Sequence, residues 1–186
     1  MTDMSQPPLS PIGQPQLRRE DYRFLTGAGQ YTDDVVLSGQ TYGVFLRSPH
    51  AHARIKSIDV RKAAKAAGVV QIFTGADLAE AKVGGLPCGW LIHSKDGSPM
   101  KEPPHPVLAQ GKVRHVGDQV ALIVAETALQ AKDAAELIEV DYEVLPWTIE
   151  IEDAIKPGAP ILHEFNMFEG KPSNIAGKLE VKKGDV

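Results

Sequence analysis

The chain has 186 residues, 42% of them hydrophobic, a single cysteine, and a formal net charge of -4 from 24 acidic and 20 basic residues. That length suits one ordinary core plus tails, and interspersed charge without a basic stripe argues against a phosphate-neutralising, nucleic-acid-binding surface. One cysteine, Cys88, closes no internal disulfide and cannot supply the four thiolates of an iron–sulfur cluster. Met1 to Pro15 lacks the basic-then-apolar order of a secretory leader, and the longest aliphatic run, Val120 to Ala125, is too short to span a bilayer, so the expectation is a cytoplasmic protein.

In chain order, residues 1–16 are rich in Pro, Ser and Gln and predict a flexible arm. Thr41 to Leu46 follows the turn signal Leu37-Ser-Gly-Gln40 and predicts a strand. Ala53 to Val60 predicts another: Ala53, Ile55 and Ser57 alternate with Arg54 and Lys56, and beyond a break Ile58 and Val60 resume the apolar face. Asp59 is placed to cap an alanine-rich helix from Arg61 to Ala67, closed by Gly68, and Val69 to Phe73 returns as a strand. Gly84 to Pro106, with Trp90 and His93, predicts a long irregular loop of the kind that often carries function.

Lys112 to His115 and Gln119 to Ala125 predict strands broken at Gly117-Asp118, the second apolar enough for the centre of a sheet. Thr127 with Gln130 forms a capping box for a helix that turns Ala128, Ala131, Ala135 and Ile138 to one side. Ile138 to Val144 alternates cleanly and predicts a half-buried strand. After Pro146 regularity fades, and Pro157, Pro160 and Pro172 with Gly158 and Gly170 suggest an extended connector. Two strand–helix–strand units with extra antiparallel strands give an α+β (mixed α/β) domain over residues 17–150, followed by a connector over 151–186.

Each group that could carry chemistry has a structural reading beside it. Gly27-Ala-Gly29 lacks the third glycine and preceding strand of a dinucleotide loop and predicts a tight turn. His50 and His52 could share one side of an extended segment, but two ligands do not make a metal site, and His93, His105 and His115 are distant in sequence. Cys88 has no local activating base. Asp33-Asp34 reads as turn chemistry, and Asp133 with Glu136 as a solvated helix face. No catalytic, cofactor-binding or metal-binding residue is assigned.

Three stretches together resemble a known family. Arg18 to Asp34 carries an arginine, an acid pair, a Leu-Thr-Gly turn and Tyr-x-Asp-Asp. The second is Arg47-Ser-Pro-His-Ala-His-Ala-Arg-Ile55 with Ile58-Asp59. The third runs from Pro106-Val-Leu-Ala109 through Val113 to Ala121 and Val124 to Thr127, ending at Val140-Asp-Tyr-Glu-Val-Leu-Pro146. They are similar to the amino-terminal a/b hammerhead domain of molybdenum hydroxylase large subunits, the aerobic carbon monoxide dehydrogenase, aldehyde oxidase and xanthine dehydrogenase family. His115, Asp118-Gln119 and Ala67 stand where that family often has Tyr, Glu-Pro or Gln-Pro, and Pro.

The resemblance implies hydroxylation at a molybdenum centre held on molybdopterin cytosine dinucleotide, with 2Fe-2S and FAD carriers on partner subunits. It also implies that the residues doing this chemistry lie in downstream molybdopterin-binding domains. Lys183-Gly-Asp-Val186 resembles the opening of the next domain, so the expectation is a fragment that is inactive alone. The alternative is a stand-alone binding or assembly module docking to a separately encoded molybdenum subunit.

Overall fold

The computed structural model describes residues 12, 13, 17–93, 96–176, 183 and 184. Most of the expected arm, and all but Lys183 and Gly184 of the closing Lys-Gly-Asp-Val stretch, lie outside the described residues. The chain divides into two compact units, Met1–Gln40 and Thr41–Val186.

In the first unit a short helix, α1 (Asp21–Leu25), ends where the Thr26 hydroxyl donates to Tyr22 O at 2.8 Å and Gly27 takes φ +73°. A 3₁₀ turn follows over Thr32–Asp34, and the Asp34 carboxylate accepts from Tyr31 N at 2.8 Å, which is the turn chemistry expected of Asp33-Asp34. Phe24 stacks on Tyr31 with ring centroids 5.3 Å apart. A Cβ at Gly29 would stand 2.2 Å from the Phe24 ring, so this glycine answers to aromatic packing.

The second unit is built on two three-stranded sheets. The first has β1 (Tyr42–Arg47) and β3 (Val69–Thr74) on either side of β5 (Gln119–Ala125). The second has β4 (Lys112–Val113) and β6 (Glu139–Val144) flanking β2 (Ala53–Asp59). Every pairing is antiparallel. The expected strand–helix–strand units are therefore not parallel units, because β2 and β3 lie in different sheets, as do β5 and β6. The Val60–Gly68 link is too short for the crossover of roughly a dozen residues or more that a parallel pair requires.

The break in alternation along β2 is a bulge between Ile55 and Ser57 in its pairing with β6. The helix expected over Arg61–Ala67 is only a 3₁₀ turn, Ala63–Lys65. Asp59 explains this: its carboxylate takes the Arg61 backbone N–H at 3.0 Å and the Arg61 guanidinium at 2.9 and 2.5 Å, bending the chain as β2 ends. Gly68, at φ +75°, then starts β3.

A helix the sequence reading passed over, α2 (Gly75–Glu80), follows β3 directly. The Asp77 carboxylate accepts from both the backbone N–H and the hydroxyl of Thr74 at 2.6 Å. The helix α3 (Ala128–Glu136) begins as expected, with Thr127 Oγ1 accepting from Gln130 N at 3.2 Å. Its buried side is Ala131 and Ala134, with Ile138 beyond its end, while Ala128 is exposed. The helix lies on β1 and β5 through small side chains, so its inner face centres further along the helix than the sequence reading placed it.

β5 serves two clusters because its residues alternate. Ala121, Ile123 and Ala125 join Ala63, Ile72, Ala131, Ala134 and Ile138 on one side. Val120 joins Ala53, Ala109 and Val113 on the other, and Ile58 and Val140 touch both clusters. Within Gly84–Pro106 the described residues hold only one isolated bridge, His93 with Pro99. After Pro146 come a single helical turn, α4 (Ile151–Ala154), and a two-strand hairpin of β7 (Met167–Phe168) and β8 (Lys171–Pro172). Asn174 ties this segment together: its Nδ2 donates to Ala154 O and Pro160 O at 3.0 and 2.9 Å, and its Oδ1 accepts from Leu162 N at 3.0 Å.

Gly75 offers a direct check on this packing. A Cβ there would meet Ala109 O at 2.2 Å and Ala109 C at 2.9 Å, both backbone atoms that cannot swing aside. Gly75→Ala is expected to lower unfolding free energy by about 1–3 kcal/mol in urea titration, the usual range for overpacking. A loss under about 0.5 kcal/mol, within surface scatter, would contradict this seating of α2.

Candidate functional site

The Arg47-Ser-Pro-His-Ala-His segment folds as a clip between the two sheets. Ser48 is buried, with its N–H donating to Asp118 O at 2.8 Å and its carbonyl accepting from Gly117 N at 2.8 Å. The Ser48 hydroxyl closes a local turn with the backbone of His50 at 3.0 Å. His50 then meets the Tyr142 ring edge-on at 4.9 Å, while burial pushes the Tyr142 phenol up. His52 is 4% exposed, and its Nδ1 lies 2.8 Å from Pro146 O, while its own carbonyl accepts from Leu145 N at 2.9 Å. A carbonyl can only accept, so Nδ1 carries a proton and donates to it. The two histidines therefore serve separate packing contacts.

The other sequence candidates do not converge either. His105 takes part through its carbonyl, which accepts from Leu86 N at 2.8 Å, and His115 Nδ1 lies 3.7 Å from Asp118. Among the described residues no group of three His, Cys, Asp or Glu side chains could hold a metal ion. Cys88 N donates to Glu102 Oε1 at 2.7 Å and its thiol points at Trp90 O at 3.4 Å, with no base against it. Asp133 and Glu136 are exposed on α3.

What the structure does assemble is a cleft. It has a volume of about 590 Å³ and is walled by His52 and Pro146, the Arg114–Val116 turn, Trp147 to Ile149, and the Leu162–His163 strap. A second cleft of about 460 Å³ opens beside it, and both are lined by Lys101, Arg114, His115 and His163. Among the described residues no carboxylate lines the larger cleft, although the chain as a whole is acidic.

Arg114 stands at the centre. Its backbone N–H donates to the Asp118 carboxylate at 2.9 Å, which fixes the turn after β4, and its Nε donates to Leu162 O at 3.2 Å. The side chain is 19% exposed, and Nη2 stays 3.9 Å from Glu164 Oε2, beyond hydrogen-bond reach. Glu164 is engaged by Lys112, whose hydrogen bond holds that carboxyl below its usual range. Among the described residues neither Nη group has a hydrogen-bond partner.

His163 was not singled out by the sequence, since it sits in a proline-rich stretch without a motif. Its Nδ1 is buried without a hydrogen-bond partner among the described residues, as is His52 Nε2. Burial first, then the nearby Arg114 cation, lowers its pKa below the ordinary 6.5. Beside the cleft an apolar stretch is bare: Trp147 is 53% exposed, Ile149 83% and Ile151 78%. The arrangement offers a cation, imidazoles and apolar surface, which suits recognition more than bond-making.

A family model described as the aldehyde oxidase and xanthine dehydrogenase a/b hammerhead domain matches residues 26–146. The chain belongs to that family. It is 42% identical over 156 residues to the carbon monoxide dehydrogenase large chain of Afipia carboxidovorans, covering 84% of this chain and 18% of that protein. It is 34% identical over 175 residues to the nicotine 6-hydroxylase large subunit of Paenarthrobacter nicotinovorans, covering 94% and 20%. Among solved structures it resembles quinoline 2-oxidoreductase from Pseudomonas putida 86, with TM-score 0.72, 41% identity, and 87% of this chain on 19% of that one. A Cu,Mo-CO dehydrogenase gives TM-score 0.68 and 40% identity, over 86% and 19%. The mixed α/β hammerhead expectation is thus borne out, and the chain spans about a fifth of the length of these relatives. The family match ends at Pro146, the residue whose carbonyl His52 holds.

The depressed His163 pKa sets a pH dependence. A group harder to protonate folded than unfolded takes up more protons when unfolded, so its contribution is intact above about pH 6.5 and is lost as pH falls below it. Replacing His163 with Gln is expected to flatten the stability loss between about pH 7 and 5 measured by urea unfolding. The carboxyls held low, Asp77 and Glu164, titrate at more acidic pH. An unchanged slope in His163→Gln would contradict the burial of this ring.

Proposed function

We propose that this chain is the scaffold part of the large subunit of a molybdenum-dependent oxidoreductase, carbon monoxide dehydrogenase-like or aldehyde and xanthine dehydrogenase-like. Residues 17–150 form the hammerhead domain in this reading, and 151–186 lead towards the molybdopterin-binding domains. The observation that carries it is the set of exposed apolar side chains Trp147, Ile149, Ile151 and Ile155, interleaved with Glu150, Glu152 and Asp153, beside a cleft that no carboxylate lines among the described residues, at the point where the family match ends. Large apolar side chains exposed together beside a cleft mark a surface made to be covered.

The residues of this chain do not fit a molybdopterin dinucleotide. Gly29 is covered by the Phe24 ring, which leaves no room there for a phosphate, and the described residues hold no cluster of metal ligands. The cofactor, a metal centre that supplies hydroxylation chemistry, belongs to the remaining polypeptide in this reading, and 2Fe-2S and FAD carriers to partner subunits. No step of the reaction is assigned to this chain, and alone it is inactive. The assembly works in the cytoplasm; no helix among the described residues is long and apolar enough to cross a membrane.

The test exchanges this chain for the aligned stretch of the Afipia carboxidovorans carbon monoxide dehydrogenase large chain. The chimera is expected to retain molybdenum by metal analysis and to reduce a dye with substrate, while the chain alone does neither. Molybdenum retained by the isolated chain, or a chimera that folds without holding any, would overturn the reading.

A further inference from the structure

We infer that the cleft between Arg114 and Trp147 is the seat of a polypeptide segment from the rest of the large subunit, one that carries a carboxylate flanked by apolar side chains. This rests on the scaffold reading above and names the chemistry of its contact. The occupant follows from three features of the cleft, each pointing to the same partner.

The first is the guanidinium of Arg114, largely buried, with both Nη groups lacking a hydrogen-bond partner among the described residues. These Nη groups keep access to solvent, and a planar fork of N–H groups open at a cleft is matched best by a carboxylate that accepts from two of them. Glu164 Oε2 stands 3.9 Å from Nη2, close enough to pair by charge but beyond hydrogen-bond reach, while its Oε1 is held by Lys112, so the fork still lacks a bidentate acceptor.

The second is charge. Lys101 and Arg114 line the cleft together with His52, His115 and His163, and among the described residues no Asp or Glu lines it and Lys101 has no ion pair. In a chain of net charge -4 such a local excess of cations is complementary to an acidic group. The third is the apolar rim of Trp147, Ile149 and Val116, exposed by 53%, 83% and 66%, against which a free ion would leave surface bare. A polypeptide covers both parts, and the relatives carry about four fifths of their length outside the region this chain matches.

The same chimeric large subunit tests this. A carbodiimide joins a lysine to a carboxylate only when the two are in ion-pair contact. Peptide mass spectrometry after such treatment is expected to find Lys101 joined to an Asp or Glu outside this chain. Amide exchange over Trp147–Ile155 is expected to be slower in the chimera than in the isolated chain. Arg114→Gln and Trp147→Ser are each expected to return about tenfold of that protection, the low end for loss of one partner of a buried ion pair or of a large apolar contact. Both variants should leave exchange along β5 unchanged, which separates a lost contact from a lost fold.

A chimera that holds molybdenum but shows neither the Lys101 crosslink nor slower exchange would overturn this inference and leave the scaffold reading standing. A chimera that folds without molybdenum would overturn both.

Discussion

The His52 imidazole joins two parts of the chain that no sheet pairing reaches. β2 and β6 pair from Ala53↔Val144 to Asp59↔Glu139. Beyond that ladder the Leu145 N–H still reaches His52 O, and the His52 ring reaches Pro146 O. Proline has no N–H to offer a ladder, so a side-chain donor takes over where backbone pairing stops. With Pro146 held, Trp147 and Ile149 stand over the Arg114 turn and the cleft has a wall. Ser48, hydrogen-bonded to the Gly117-Asp118 turn, fixes the other side of the same clip. The Ser-Pro-His-Ala-His stretch is thus a structural device, and its histidines act through shape and hydrogen bonding.

The core beneath is made mostly of small side chains. Ala53, Ala63, Ala121, Ala125, Ala131 and Ala134 are all fully buried, and the largest fully buried side chains are Leu108, Ile123, Val113 and Val120. Alanines let α3 lie close on β1 and β5, but each removes little apolar surface from water at about 25 cal/mol per Å². Large apolar groups such as Trp147, Ile149 and Ile151 remain outside. That distribution suits a module whose further stabilisation comes from contact with other polypeptide.

Much of this was legible in the sequence wherever the signal was local. The aliphatic run of β5, the Thr127 cap, the turn at Gly117-Asp118 and the interrupted alternation that became the β2 bulge all follow from residues near one another. Partition into two antiparallel sheets was not legible, because period two tells which side a residue faces and not which strand it pairs with. Propensity overstated the Arg61–Ala67 helix, where the Asp59 carboxylate turned the chain instead. For α2 the Thr74 and Asp77 spacing was a usable signal that the short apolar pattern concealed. His163 and the setting of the Arg114 guanidinium depend on a strap contributed from some fifty residues downstream of Arg114, so no local pattern announces them.

The His52 clamp at the start of β2 sets the cleft wall, and amide exchange at Leu145 in the chain and in His52→Ala reads it most directly. Loss of the ring's bond to Pro146 O, about 1 kcal/mol or somewhat more, should release the end of β6. Leu145 and the Trp147–Ile155 amides are then expected to exchange roughly tenfold faster, with β5 amides unchanged, since about 1.4 kcal/mol is a factor of ten. Exchange at Leu145 that does not change on removing the imidazole would contradict the claim that His52 holds the cleft in place.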